Sequence, residues 1–271
     1  MKKIMAVCKP DWKMLRAFLL CIGAAALILA VFSVPAEEPI GQSVYTLAAD
    51  SPDLARPEKT AYLTFDDGPS SVTADLLNTL KEKQVRASFF VIGTGSSLRD
   101  EERNALWKRE ADEGHMIGLH TWDHGDYRRI YASADAYIGQ LKKLQDAVSA
   151  ATGKKAVCYR FPGGSSNHFC PVSAYREITA RMKKDGLEYY DWNVDAEDAI
   201  GVHTTADSVA AHVIREAKKL QTPVILMHDI PTCRGSVEAV GRIIDALREA
   251  CYDFDTVDHL KKPVHQRVKG A

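Results

Sequence analysis

Two adjacent carboxylates, Asp66-Asp67, open a turn at Gly68-Pro69-Ser70, and two histidines, His120 and His124, stand four residues apart. On a continuous strand the two acids would point to opposite faces. The Gly-Pro turn ends the strand there, so both carboxylates are free to lean toward one centre. Taken alone, the stretch also reads as a turn with an aspartate helix cap. A helical or tight-loop segment would set both imidazoles on one side. Two imidazoles and one carboxylate, with a position left for water, make a catalytic zinc shell. A lone His-x-x-x-His is more often a pair of hydrogen-bonded surface histidines, so the ligand reading depends on the two segments meeting.

Further polar residues need a reason. His228 follows the apolar run Val224–Met227. A histidine at such a strand end can protonate a leaving amine near neutral pH. Asp195, at another strand end, is placed to hold that ring and raise its pKa. Arg160 ends a third apolar run, and its forked guanidinium can fix the Asp66 carboxylate. Each has a plainer reading, as a helix cap, a core histidine or a surface ion pair.

The elements that must position these groups follow from periodicity. Strands are predicted at Ala61–Phe65, Ala87–Ile92, Met116–His120, Ala156–Phe161, Glu188–Val194, Val224–Met227 and Phe254–Val257. Helices are predicted near Val72–Lys83, Leu98–Glu113, Ala132–Thr152, Ala174–Lys184, Thr205–Leu220 and Ser236–Ala250. Alternation of this kind implies parallel strands with crossover helices. About seven strands in one domain fit an irregular, distorted β/α barrel, whose site lies at the carboxyl ends of the strands. Five of these strand ends carry acids, histidines or an arginine, where packing alone would favour turn formers.

The 271 residues, 46% hydrophobic and 26% charged, suit one sizeable globular domain. The net charge of −1 is uneven: five cations and one acid within residues 1–36 give +4, which leaves −5 for the remainder. No basic patch remains in the main body, which argues against nucleic-acid binding. After Arg16, eighteen residues from Ala17 to Val34 carry no charge. This is an export leader, either a cleaved signal peptide or a membrane anchor. Residues 37–59, with Pro39, Pro52 and Pro57, read as a linker, and 60–265 as the working domain. A monomer, secreted or held at the cell surface, is expected. Cys158, Cys170, Cys233 and Cys251 form no Cys-x-x-Cys pair, which disfavours a thiolate zinc site. Export permits disulfides among them, and buried free thiols fit equally well.

Together these segments resemble the polysaccharide deacetylases, carbohydrate esterase family four, whose five short motifs can be read in order from Ala61 to about Leu260. Thr64-Phe65-Asp66-Asp67-Gly68-Pro69-Ser70 resembles the first and His120-Thr121-Trp122-Asp123-His124 the second. Arg160-Phe161-Pro162-Gly163-Gly164 is similar to the third, Trp192 and Asp195 to the fourth, and Leu226, His228 and Asp229 to the fifth. The resemblance implies Asp66 as general base, oriented by Arg160, and Asp67, His120 and His124 as ligands of one divalent ion, usually zinc, with cobalt or another ion as alternatives. It implies an oxyanion contact from the Gly163 N–H, an acetyl pocket lined by Trp192 and Leu226, and His228 as general acid tuned by Asp195. Many members carry a tryptophan where Ala199 follows Asp198, and this departure leaves substrate preference open. The activity implied is removal of N-acetyl groups from N-acetylglucosamine in a cell-wall polysaccharide, peptidoglycan first. Chitin oligosaccharides and O-acetylated xylan are the alternatives, and a surface binding module without catalysis is a further one.

Overall fold

The structure is a computed structural model that describes residues 59–95 and 97–271. The expected leader, and the linker up to residue 58, lie outside the described residues. Among those described, no helix is long and apolar enough to cross a membrane.

Eight parallel strands alternate with helices. They are β1 (Lys59–Asp66), β2 (Ser88–Val91), β3 (Met116–Leu119), β4 (Cys158–Tyr159), β5 (Glu188–Tyr189), β6 (Val194–Asp195), β7 (Val224–His228) and β8 (Tyr252–Phe254). The helices are α1 (Thr73–Glu82), α2 (Asp100–Asp112), α3 (Tyr127–Ile130), α4 (Ala134–Thr152), α5 (Val172–Lys184), α6 (Ala206–Ala217) and α7 (Arg234–Glu249). The strand order is β5-β4-β3-β2-β1-β7-β6, with β8 pairing the start of β1. This is the distorted β/α barrel expected from the alternation.

β1 pairs with three strands, β2, β7 and β8. Six successive residues from Ala61 to Asp66 are buried, as a parallel strand covered on both faces requires. α7 buries Val237, Val240, Ile243, Ile244 and Leu247, an i, i+3, i+4 stripe laid on the core. Ser133 caps α4 by accepting the Ala136 N–H, and Gly153 ends that helix in a left-handed conformation.

Two expectations need correction. The strand predicted at Phe254–Val257 lies at Tyr252–Phe254, and a turn of 3-10 helix follows it. The predicted strand Glu188–Val194 is broken into β5 and β6, which lie at opposite edges of the sheet. Residues 190–193 span the seam between those edges: the Tyr190 N–H still reaches β4 at the Tyr159 carbonyl and the Asn193 N–H reaches β7 at that of Val224, both at 3.1 Å, but Asp191 between them has no strand partner. Buried backbone groups need partners, and side chains and a distant segment supply them. Arg160 Nε donates to the Tyr190 carbonyl at 2.7 Å, and one Arg160 NH2 group to that of Asp191 at 3.2 Å. The Asp191 N–H donates to Val264 O at 2.9 Å, and the Gln266 N–H to the Asp191 carboxylate at 2.8 Å. The His265 ring stacks on Tyr189 at 3.8 Å. Residues 264–266 thus act as a strap over the seam. Cys158, Cys170, Cys233 and Cys251 are all free, the first three buried.

Candidate active site

The carboxyl ends of β1, β3, β4, β6 and β7 converge on one cavity of about 260 Å³. Nine of the ten residues singled out in the sequence line it: Asp66, Asp67, His120, His124, Gly163, Trp192, Asp195, Leu226 and His228. The tenth, Arg160, lies beneath its floor with no exposed surface.

Asp66 is the last residue of β1 and the Cα partner of His228 on β7. Asp67 then takes a left-handed φ of +69°, which aspartate tolerates better than most residues. That twist lets two consecutive carboxylates share one cavity. Neither caps α1, whose first turn has no side-chain cap. Beyond β3, residues 120–124 form a loop rather than a helix, and Gln140 of α4 clamps it by accepting the Trp122 and Asp123 N–H groups at 2.9 and 3.0 Å. The loop brings the His120 and His124 rings to 5.0 Å between centroids.

Asp67, His120 and His124 form a group able to hold a metal ion. His120 Nε2 and His124 Nε2 each lie 3.6 Å from Asp67 Oδ1, too far for a hydrogen bond. Bonds of about 2.0–2.1 Å in a tetrahedral zinc shell place ligand atoms roughly 3.3–3.4 Å apart, close to this spacing. Asp67 Oδ1 is buried and has no hydrogen-bond partner, which a cation would remedy. His120 Nδ1 lies 3.0 Å from the Arg160 carbonyl, so that nitrogen carries the proton and Nε2 keeps its lone pair. Burial, with the nearby His124, holds the His120 pKa well below its usual range, which keeps the ring neutral. The donor set therefore fits a divalent zinc-type ion.

Arg160 NH1 donates to Asp66 Oδ1 and to Thr64 Oγ1, both at 2.8 Å. Burial nevertheless pushes the Asp66 carboxyl up to about 6, against the pull of Arg160 and His228. At His228 burial disfavours the charge, but the carboxylate bonded to the ring, together with Asp66 and Asp67, outweighs it and lifts the imidazole to about 9. A carboxyl raised to about 6 and an imidazole raised to about 9 thus line one cavity, the pattern that a general base and a general acid require at neutral pH.

That carboxylate is Asp198, not Asp195, and the expectation is corrected accordingly. Asp198 Oδ1 lies 2.7 Å from His228 Nδ1, and Oδ2 accepts the His228 N–H at 2.9 Å and the Ser236 hydroxyl at 2.5 Å. Asp195 is turned the other way: its carboxylate accepts the Trp192 indole N–H at 3.1 Å and the Glu197 N–H at 2.8 Å. Three residues decide the role, because the chain reverses at Glu197, whose φ is +55°.

The polysaccharide deacetylase family profile matches residues 53–189. This chain belongs to the polysaccharide deacetylases. A peptidoglycan-N-acetylglucosamine deacetylase of Bacillus cereus is 32% identical over 262 residues, covering 90% of this chain and 91% of its own length. The catalytic domain of a peptidoglycan N-acetylglucosamine deacetylase from Eubacterium rectale superposes with a TM-score of 0.71 at 33% identity, covering 78% of this chain and 94% of that one. The polysaccharide deacetylase Bc1974 of Bacillus cereus gives 0.64 at 33% identity over 76% and 96%. As a polysaccharide deacetylase the protein is a hydrolase acting on acetylated carbohydrate, and cell-wall polysaccharide is the substrate class of such relatives.

One residue of this deacetylase site has no counterpart in the sequence reading. Tyr127, in the single-turn helix α3, packs edge-on against His124 at 5.3 Å and lines the cavity. Asp126, which caps that helix, was the local signal for it. Ala199 and Ile200 also line the cavity, and Ile200 is 73% exposed.

Proposed function

We propose that this enzyme hydrolyses N-acetyl groups on N-acetylglucosamine residues of peptidoglycan, outside the cytoplasm, with one divalent ion held by Asp67, His120 and His124. The observation that supports this reading is the register of Asp66 with His228 across the β1–β7 pair, which brings a carboxyl and an imidazole to one cavity. Zinc is the ion that the two imidazoles and one carboxylate favour. When bound, it supplies Lewis acidity toward the acetyl carbonyl and lowers the pKa of water.

The chain's own groups do the rest. Asp66, oriented by Arg160, takes a proton from the attacking water. The Gly163 N–H faces the developing oxyanion, with Gly163 held at a φ of +74°. Trp192, fixed by Asp195, and Leu226 enclose the acetyl methyl. His228, kept cationic by Asp198, gives its proton to the departing sugar amine, and acetate and a glucosamine residue result. N-acetylglucosamine of peptidoglycan is favoured over the other polymers because relatives of about one-third identity carry that activity in their names.

The test is acetate release from purified peptidoglycan, with mass spectrometry of the released sugars. Glucosamine should appear in place of N-acetylglucosamine, with muramic acid left acetylated. Faster release from chitin oligomers or acetylated xylan under the same conditions would reassign the substrate.

A further inference from the structure

A second group of ligating side chains lies beside the catalytic cavity. Glu197, His203 and His212 bring their ligand atoms within 4.8 Å of one another. Glu197 Oε2 lies 3.6 Å from His203 Nε2, near the roughly 3.3–3.4 Å edge of a tetrahedral zinc shell. The His203 and His212 rings are 4.4 Å apart between centroids. His212 Nε2 lies 3.0 Å from the Asp195 carbonyl, which can only accept, so Nε2 carries the proton and Nδ1 presents a lone pair. Metal-ligating histidines are held in this way by a backbone carbonyl on the far nitrogen.

The position at that lone pair already attracts a cation. Arg215 NH2 donates to His212 Nδ1 at 2.9 Å from a side chain that is 60% exposed. An exposed guanidinium leaves such a contact at little cost. The loop is also pre-shaped, since the His203 N–H closes on the Glu197 carbonyl at 3.2 Å. Ordering a closed loop around an ion costs less than ordering an open one.

We propose that Glu197, His203 and His212 form a second divalent-cation site, selective for zinc-type ions, that displaces Arg215 and clips the 197–203 loop to α6. Its two imidazoles and one carboxylate repeat the donor chemistry of Asp67, His120 and His124. The loop it braces carries Asp198 and the exposed residue Ile200, so the ion would steady the support of His228 from the edge of the cavity, which Glu197 also lines. The proposal stands independently of any metal at Asp67.

The full chain, stripped with a chelator, is titrated with Zn2+ by calorimetry, and bound metal is counted after dialysis. His203→Ala should lose one equivalent, and an Asp67→Ala, His124→Ala double variant should keep that equivalent. If His203→Ala loses none, the proposal is overturned. If metal is lost only in the double variant, it is likewise overturned, and the catalytic site alone binds. If metal is lost only with His203→Ala, the reading of Asp67 fails and the second site stands. His203→Gln, checked by circular dichroism without metal, repeats the test should the alanine variant misfold. Arg215→Met should tighten the His203-dependent binding event, and an unchanged or weaker affinity would count against the site.

Discussion

His228 Nδ1 and Asp198 Oδ1 lie 2.7 Å apart, and the same carboxylate also accepts the His228 backbone N–H. One acid therefore fixes both the ring and the strand end that bears it. The bond leaves Nε2 as the nitrogen that can meet a leaving group. It is also the main reason that the pKa of a buried histidine is raised to about 9, since Asp198, with Asp66 and Asp67, overcomes desolvation.

The alkaline limb of the activity profile should follow His228. As the proposed acid, His228 must carry its proton, and its pKa is raised to about 9, so activity should fall as pH rises through about 9. Asp198→Asn removes the main stabiliser of that charge and should move the limb down toward the ordinary histidine value of about 6.5. Asp195→Ala should leave the limb in place and weaken substrate binding by freeing the Trp192 indole. A pH profile of kcat for both variants separates the two aspartates, and equal shifts would refute the assignment.

Asp66, the proposed base, should define the acid limb. With its carboxyl raised to about 6, it is an effective base only above that pH, so activity should decline below it. Asp66→Asn should lower kcat by about 100- to 10,000-fold and leave zinc content unchanged. His124→Ala should instead lose the metal from this group. Metal analysis beside kcat decides, and a variant Asp66→Asn with near-native turnover would remove Asp66 from the base role.

Chelation gives a direct test of the metal reading. Treatment with a strong chelator should abolish acetate release, and Zn2+ should restore it. Activity that survives complete removal would eliminate the ion from the reaction.

Arg160 joins site and scaffold. It is wholly buried and bonds Asp66, Thr64, Tyr190 and Asp191. Arg160→Met would strand a buried carboxylate and two seam carbonyls, at a cost of about 3–5 kcal/mol. Denaturant unfolding should show that loss. The acid limb should also move upward, because the Asp66 carboxyl loses the cation that lowers its pKa.

Asp229 makes stability pH-dependent. Burial raises its carboxyl to about 8 from the usual 3.8, so the folded state holds a proton that the unfolded state releases. That contribution is full below about pH 4 and is lost as pH rises toward 8. Asp229→Asn should flatten the stability profile over that window, as urea midpoints at intervals of pH would show.

Much of the site was legible in the sequence because it violates packing logic. Acids, histidines and an arginine at the ends of apolar runs serve no core, so Asp66, Asp67, His120, His124, Arg160 and His228 stood out. The alternation of strand and helix was enough for the barrel. What stayed hidden depends on backbone conformation rather than residue type. Residues 188–194 mix three aromatic residues and a valine with Glu188, Asp191 and Asn193 and carry no Gly or Pro to mark a break, and only the closing geometry of the barrel divides them between two sheet edges. The exchange of Asp195 for Asp198 turns on a single left-handed residue, Glu197, which no periodicity encodes. Helix α3 is four residues long, too short for a repeating pattern to register Tyr127.

The strap over the seam has a bearing on how the catalyst comes into being. Gln266 meets Asp191 across 75 residues of chain, and Thr64 meets Ile225 across 161. Closing loops of that length is entropically slow, and the contacts that shape the cavity are the ones that wait for it. A half-folded molecule can hold much of its helical structure and still lack a working centre. Conversely, a break between residues 191 and 264 should silence the enzyme before its interior melts, so activity reports on the closure of the ring rather than on the survival of the core.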